Sequence, residues 1–344
     1  MGVKKISDLI KGEPIELSDL SRKRLAIDAY NILYQFLASI RGMDGSLLKN
    51  IDGMVTSHLS GLLYRNARLL QHGIKLVYVF DGKPSELKKE EIRRRVKLKE
   101  KARKELEEAR ERGDMERVRT VAQRTVSLTE DMLKDAKHLL KLMGIPYIEA
   151  PQEGEAQAAY LAQNRKVWGV ASQDFDSLLF GAPILIRNLT LSGRRKLPRT
   201  NRYITVNVEI YRRENLLKEL NLTPDQLIDM AILIGTDFNP DGVKGVGPKT
   251  AYKYIQQYGS IEKVLENVNI KLEADYEEIR EVFRKPVITE DYNLSFGEID
   301  IEGIVEFLCE QRGFDEARVR NVLSKTKEEQ RSILQQRRLD SFFS

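Results

Sequence analysis

The sequence predicts an α/β fold, a sheet flanked by helices, and three observations carry that prediction. Short apolar runs alternate with longer stretches of helical periodicity. The chain of 344 residues, 41% of them hydrophobic, is long enough to bury a full core as one large domain or two ordinary ones. Seven acidic residues, Asp28, Asp81, Glu153, Glu155, Asp174, Asp176 and Asp237, stand where hydrophobic runs end. In such sheets ligands gather beyond the carboxyl ends of the strands, so these carboxylates can converge from distant parts of the chain. Converging carboxylates repel one another unless a cation intervenes, and a hard, all-oxygen donor set suits Mg²⁺ or Mn²⁺ better than Zn²⁺.

The elements follow in order. KRLAIDA (23–29) reads as a buried strand ending at Asp28, and the helix after it has Ile32, Leu33, Phe36 and Leu37 on its apolar side. Gly42, Asp44, Gly45, Asp52 and Gly53 mark a loop. A helix from about Thr56 to Leu70 leads into a second strand, KLVYVFDG, closed by Asp81. From Lys83 to Arg112 thirteen basic residues stand among eight glutamates, with a thin apolar stripe through Ile92, Val96, Ala102, Leu106 and Ala109. That run is either a solvated helix laced with i,i+4 ion pairs, which charge alone favours, or a binding helix projecting from the core. A further helical stretch after Gly113 runs to Leu142, and Gly144 stops it before a strand in IPYIEA. Glu153 and Glu155 open the next helix, where acids suit the dipole; capping alone would also account for them. The strand KVWGVAS runs into Asp174 and Asp176, a pair that capping explains less well. PILIRNLTLSG and RRKLPRTNRYITV read as a hairpin or strand pair with a basic turn. Leu227 to Gly235 reads as an apolar helix delivering Asp237, and the last third reads as Lys- and Glu-rich helix.

Bulk properties exclude several classes. No apolar run is long enough to span a bilayer and the first residues lack a secretory signal, which predicts a soluble, cytoplasmic protein, nuclear only in a eukaryotic source. Cys309 is the only cysteine, so an intrachain disulfide or cysteine-based zinc site is excluded, and His58, His72 and His138 lack ligand spacing. With 57 basic against 52 acidic residues the net charge is +5, and gathering seven acids at one site leaves the remaining surface more basic, as suits a polyanion partner.

Two segments near the C-terminal end carry signals of their own. Residues 242–251, GVKGVGPKTA, miss the nucleotide P-loop pattern because Pro248 separates Gly247 from Lys249. A Gly-hydrophobic-Gly turn at a helix start instead offers backbone amides to one DNA phosphate and, through turn carbonyls, a site for a monovalent cation. Residues 336–344, QRRLDSFFS, put two phenylalanines in a polar terminus, which suits a docking peptide or an end folded back on its own core.

Taken together, AIDAY at Asp28, VFDGKP at Asp81, EGEAQAAY at Glu153 and Glu155, SQDFDSLLF at Asp174 and Asp176, and GTDFNPDGVKGVGPKTA at Asp237 resemble the flap structure-specific endonucleases, a family of 5′ nucleases, in its archaeal type. The resemblance covers essentially the entire chain. It implies a PIN-like core with a central, mainly parallel sheet, a helical arch and a helix-two-turn-helix. The implied domains are a nuclease core over 1–222, a helix-two-turn-helix and C-terminal helical region over 223–325, and a tail over 326–344. Within the core lie an N-terminal region of about 1–100, an arch of about 83–130 and an internal region of about 140–222.

The resemblance also implies a set of roles. Asp28, Asp81, Glu153 and Glu155 would mainly serve one Mg²⁺ and Asp174, Asp176 and Asp237 a second, Mn²⁺ being able to substitute. Lys88 and Arg95, on one face of the arch, match residues that contact the scissile phosphate. Tyr34 matches an aromatic that stacks on a base, and the amine of Gly2 would lie near the metals. Gly245, Gly247, Lys249 and Thr250 fall in the duplex-gripping segment, which binds K⁺. Gln336, Leu339, Phe342 and Phe343 fit the sliding-clamp (PCNA) motif. The implied activity is 5′ flap endonuclease and 5′-3′ exonuclease cleavage in Okazaki-fragment maturation and long-patch base excision repair, by a protein monomeric on its own. A bubble- or junction-cutting 5′ nuclease and a noncatalytic clamp-tethered DNA-binding factor are the alternatives.

Overall fold

A computed structural model of the chain describes residues 4–42, 44–191, 193–196 and 203–340. Among the described residues nine strands form two sheets: β1 (Glu13–Ile15), β2 (Arg24–Asp28), β3 (Lys75–Phe80), β4 (Tyr147–Glu149), β5 (Gly169–Ala171), β6 (Ile184–Arg187), β7 (Gly193–Lys196), β8 (Tyr203–Val206) and β9 (Val208–Arg212). Seven of them build one sheet in the order β1-β9-β6-β5-β2-β3-β4. The pairings among β4, β3, β2, β5 and β6 are all parallel, while β9 lies antiparallel between β6 and β1. This is a mainly parallel α/β sheet, and both of its faces are covered. Alternate residues of each strand therefore enter different cores. Ala26, Val77, Val79, Val170 and Leu185 belong to one, and Leu25, Ile27, Leu76, Tyr78, Phe80, Ala171 and Ile186 to the other.

Helices α1 (Ala29–Ser39) and α2 (Ser57–Gln71) follow β2, and Asp28 at the end of the strand is also the N-cap of α1, accepting from the Asn31 backbone N–H. Beyond β3 the charged run is helical, as expected, over α3 (Lys89–Glu111), and α4 (Met115–Ala122) folds back on it. Only the distal part of the anticipated stripe is buried: Ala102, Leu106 and Ala109 pack on Val118, Val121 and Ala122, whereas Ile92 and Val96 are exposed. The reason is geometric, because α4 covers only the outer end of α3. The arch foot is tied down by Arg41, whose guanidinium donates to the carbonyls of Gly45 and Ala122.

The stretch from Gly113 to Leu142 is not one helical run. It breaks between α4 and α5 (Glu130–Leu142), where Thr129 takes the N-cap position and accepts from the Met132 N–H, as β-branched hydroxyl residues commonly do. The expected hairpin also divides differently. The segment 184–187 pairs with β5 and β9 in the main sheet, and the hairpin is β7 with β8, a separate two-stranded ribbon.

Helix α6 (Gly154–Gln163) follows β4 and α7 (Asp176–Leu179) follows β5; α8 (Arg213–Leu220) leads to the apolar α9 (Pro224–Ile234). After a turn of residues 235–247 come α10 (Pro248–Tyr258), α11 (Ile261–Asn267) and α12 (Tyr276–Arg284). The guanidinium of Arg280 bonds to Asp229, 2.7 Å, and Glu262, 2.7 Å, drawing α9, α11 and α12 together.

The last third is not continuous helix. Residues 285–300 form an extended strap held by side-chain and backbone bonds: Gln157 exchanges two hydrogen bonds with the Thr289 backbone, and the Gly297 N–H donates to the Gly144 carbonyl. Backbone groups of Thr289, Gly297 and Asp300 thus find partners on α6 and at the end of α5 instead of along a helix of their own. Helices α13 (Ile301–Val305) and α14 (Glu316–Asp340) complete the chain, and α14 continues through positions 326–340. No helix among the described residues is long and apolar enough to cross a membrane.

Candidate metal centre

Five connections leave the carboxyl edge of the sheet or its flanking helices and deliver the seven acids. Asp28 ends β2, Asp81 follows β3, Glu153 and Glu155 open α6 after β4, and Asp174 and Asp176 follow β5. Asp237 follows a helix, not a strand; its turn is built by Asn239, whose side chain accepts from the Thr236 N–H and hydroxyl and donates to the Ile232 carbonyl. Asp28, Glu153, Asp174, Asp176 and Asp237 are buried, Glu155 is half-buried, and solvent reaches Asp81 at the mouth of the cleft. Gly154 has a steric reason to be glycine: a Cβ there would lie 2.7 Å from Asp81 Oδ1, the atom its N–H donates to at 2.6 Å.

Glu153 is the N-cap residue of α6, yet its side chain makes no capping bond. Its carboxylate instead pairs with Lys88, which also lies 3.4 Å from Asp237 Oδ2. Arg95, about two turns further along the same face, donates to Asp237 Oδ2 at 2.7 Å and to Glu91 Oε1 at 2.8 Å. The sequence division placed Glu153 and Asp237 with different ions. Here they share one ammonium, because Lys88 reaches both from above.

The electrostatics follow from crowding. Loss of solvent pushes the Asp28 carboxyl up to about 8, with the charges of Asp81 and Asp174 adding to it. Asp81 and Glu153 are also raised, and Glu155 is raised well above the carboxylate range, first by lost solvent and then by Asp176, Asp28 and Asp174. Burial acts on Asp237 in the same direction, but nearby cationic groups, Lys88 and Arg95 among them, outweigh it and hold that carboxyl low. Reciprocally Lys88 is raised, since Glu153 and Asp237 outweigh its own desolvation.

The residues fit a hard cation. All the donors are carboxylate oxygens, and Glu155 Oε1 is shut off from solvent with no hydrogen-bond partner among the described residues. Among the described residues no three of these side chains are already closed tightly enough to hold an ion. Cations of the charged run occupy Glu153 and Asp237 instead: Lys88 bridges the two and Arg95 bonds Asp237.

Tyr34, half-buried on α1, carries Lys99 of the arch 5.3 Å above its ring. Gly245, in a left-handed turn, and Gly247, the N-cap of α10, have open space where a side chain would stand, beside exposed Lys249 and half-buried Thr250. Gln336 and Leu339 lie on the backbone of α14, whereas Gly2, Phe342 and Phe343 lie outside the described residues.

The sequence reading passed over Asn31, Ser172 and Glu91. Asn31 Nδ2 donates to Asp174 Oδ2 at 3.0 Å, and Ser172 Oγ donates to Asp28 Oδ2 at 3.3 Å and accepts from the Asp174 N–H. Glu91 is a buried acid in an exposed helix. Its spacing four residues before Arg95 was the available signal, and Ser172 two residues before Asp174 fits a hydroxyl turn.

An acid-lined sheet edge beneath a basic helical arch, with a further helical region beyond, is the arrangement of a nuclease of the XPG type. Its XPG N-terminal domain model matches residues 1–102 and its XPG I-region model 144–237, while a 5′-3′ exonuclease C-terminal SAM-fold model matches 222–292. Among curated relatives, the flap endonuclease 1 of Ignicoccus hospitalis is 49% identical over 348 residues, covering 100% of this chain and 99% of the relative. That of Pyrococcus furiosus is 47% identical over 343 residues, with 100% and 99% covered. The structure of flap endonuclease-1 from Methanococcus jannaschii superposes with a TM-score of 0.75 at 41% identity, over 95% of this chain and 99% of that one. The catalytic core of Rad2 in complex with a DNA substrate gives 0.69 at 29% identity, over 92% and 96%. The chain belongs to the flap endonuclease 1 family.

Proposed function

We propose that this protein cuts 5′ flaps near the junction of single strand and duplex by two-metal-ion hydrolysis. As a family member it is a structure-specific 5′ flap endonuclease, an enzyme that hydrolyses DNA phosphodiester bonds and depends on divalent metal. The observation that supports the finer reading is that the seven acids lie within electrostatic reach of one another, with Lys88 and Arg95 paired to two of them, Glu153 and Asp237. Asp28, Asp81, Glu153, Glu155, Asp174, Asp176 and Asp237 would hold two Mg²⁺. Bound there, the ions supply Lewis-acid polarisation of the scissile phosphate and a lowered pKa for an attacking water.

The chain's own groups do the rest. Lys88 and Arg95, released from Glu153 and Asp237, offer positive charge to the non-bridging oxygens where charge builds up. Tyr34, freed of Lys99, offers a face for the base next to the cut. The turn at Gly245 and Gly247 with Lys249 and Thr250 holds a phosphate of the remote duplex, with K⁺ at its carbonyls, so selection is by shape. Products carry 5′-phosphate and 3′-hydroxyl, and the same centre serves 5′-3′ exonuclease cutting. The tail motif Gln336, Leu339, Phe342 and Phe343 tethers the enzyme to a sliding clamp during Okazaki-fragment maturation and long-patch base excision repair.

Asp174→Ala is the direct test. It should lower Mg²⁺-dependent cleavage of a labelled double-flap substrate by at least about 10³-fold, while DNA affinity in EDTA stays within a few-fold. Retained cleavage would sink the metal-site assignment.

A further inference from the structure

Asn31 lies in the first turn of α1 and touches two acids that arrive on different strands. Its backbone N–H donates to Asp28 Oδ1 at 3.0 Å and its side-chain amide to Asp174 Oδ2 at 3.0 Å. Asp28 and Asp174 are 146 positions apart in the chain, both buried, and both within hydrogen-bond reach of Asn31 and of Ser172. Two adjacent carboxylates with nothing between them repel and turn apart. A neutral donor fixed between them opposes that.

Neutrality matters here. Lys88 and Arg95 also quiet their carboxylates, but as full charges they stand where a cation would go and must leave before it arrives. An amide donor brings partial positive charge to one lone-pair direction of an oxygen and leaves its other direction open. Ser172 repeats the arrangement from the other side, donating to Asp28 Oδ2 while its oxygen accepts from the Asp174 N–H. The orientations of Asp28 and Asp174 are thus held by groups that need not move when an ion binds.

We propose that Asn31 is a positioning residue for the metal centre: its amide fixes the orientation of Asp174 relative to Asp28 so that the two carboxylates meet a divalent cation already aligned. This rests on the metal-site reading above. Partners that orient ligating carboxylates typically change metal affinity by about 10- to 100-fold when removed.

The experiment is a Mn²⁺ titration of the full chain without DNA, counting free Mn²⁺ by electron paramagnetic resonance, for the wild type, Asn31→Leu and Asn31→Ser. Leucine keeps the size of the side chain and the backbone bond to Asp28, and removes only the donor to Asp174. The expected result is Mn²⁺ binding weakened about tenfold or more in Asn31→Leu, with Asn31→Ser in between. The Mg²⁺ concentration for half-maximal cleavage should rise in step, while KM for DNA at saturating Mg²⁺ stays within twofold. Equal Mn²⁺ binding in the wild type and both variants overturns the proposal. So does a lower melting temperature in EDTA with unchanged Mn²⁺ affinity, which would make Asn31 a residue of the helix start alone. If the wild type takes up no Mn²⁺, the metal-site reading falls and this proposal with it; if only the variants match the wild type, the reading stands and the role of Asn31 falls.

Discussion

Replacing Lys88 with methionine is expected to move metal affinity and catalytic rate in opposite directions. In the DNA-free protein the Lys88 ammonium pairs with Glu153 and lies 3.4 Å from Asp237, so a divalent ion entering between those acids meets it head on. A unit charge roughly 5 Å from a divalent ion repels it by about 7 kcal/mol at an effective dielectric near 20. The lysine relieves most of this by swinging out on its flexible stem, at the cost of its own two ion pairs, leaving about 1–3 kcal/mol. Lys88→Met should therefore bind Mn²⁺ about 10- to 100-fold more tightly, as read by calorimetry. Flap cleavage at saturating Mg²⁺ should nevertheless fall about 10²- to 10³-fold, because the cation aimed at the phosphate is gone.

Stability supplies a third sign. In EDTA the variant leaves Glu153 facing Asp237 and Asp81 without its bridge. Stripping one partner from a buried pair costs about 3–5 kcal/mol, but partial exposure and the Arg95 bond to Asp237 reduce this to about 2 kcal/mol. The melting temperature should drop by a few degrees in EDTA and recover in Mg²⁺. Metal binding that is unchanged or weaker would refute the competition argument, and cleavage at the wild-type rate would remove Lys88 from the phosphate.

Two further outcomes test other parts of the molecule. His58 is buried with neither ring nitrogen hydrogen-bonded among the described residues, and burial pushes its pKa down to about 4, Asp135 opposing and Arg312 adding to the shift. Because the folded value is the depressed one, the unfolded chain takes up the proton first. The stability from this site is whole above about pH 6.5 and is lost as pH falls toward 4, by about 3 kcal/mol. His58→Phe should flatten that part of the stability profile measured by urea unfolding between pH 7 and 4, and an unaltered slope would count against it. For the tail, Phe342→Ala combined with Phe343→Ala should weaken sliding-clamp binding at least about tenfold in a calorimetric titration, with clamp-free flap cutting near normal; equal affinity would assign the motif no such role.

Most of the sheet was legible because its strands are short apolar runs with one residue type change at their ends. Asp28 and Asp81 could be placed from sequence since a parallel strand buried on both faces is apolar until it leaves the sheet. Glu153 was ambiguous as a helix cap until the structure gave its carboxylate to Lys88. That contact joins residues 65 positions apart, and no local pattern encodes it. The strap 285–300 was misread as helix because its polar composition suits either form; what decides it is a set of bonds to Gln157 and Gly144, made only after the sheet exists. Asn31 escaped notice for the same reason, since its partner Asp174 is distant in sequence.

The acids of the centre span the chain from Asp28 to Asp237, and the last of them sits on a turn beyond α9. During synthesis the N-terminal strands leave the ribosome first, carrying Asp28 and Asp81, while Asp237 is still to come. The nascent polypeptide, or any fragment ending before that turn, therefore carries Glu153 for Lys88 and Glu91 for Arg95 but lacks Asp237, the one acid that both cations reach. The set of seven acids is therefore complete only once the turn of residues 235–247 has been made.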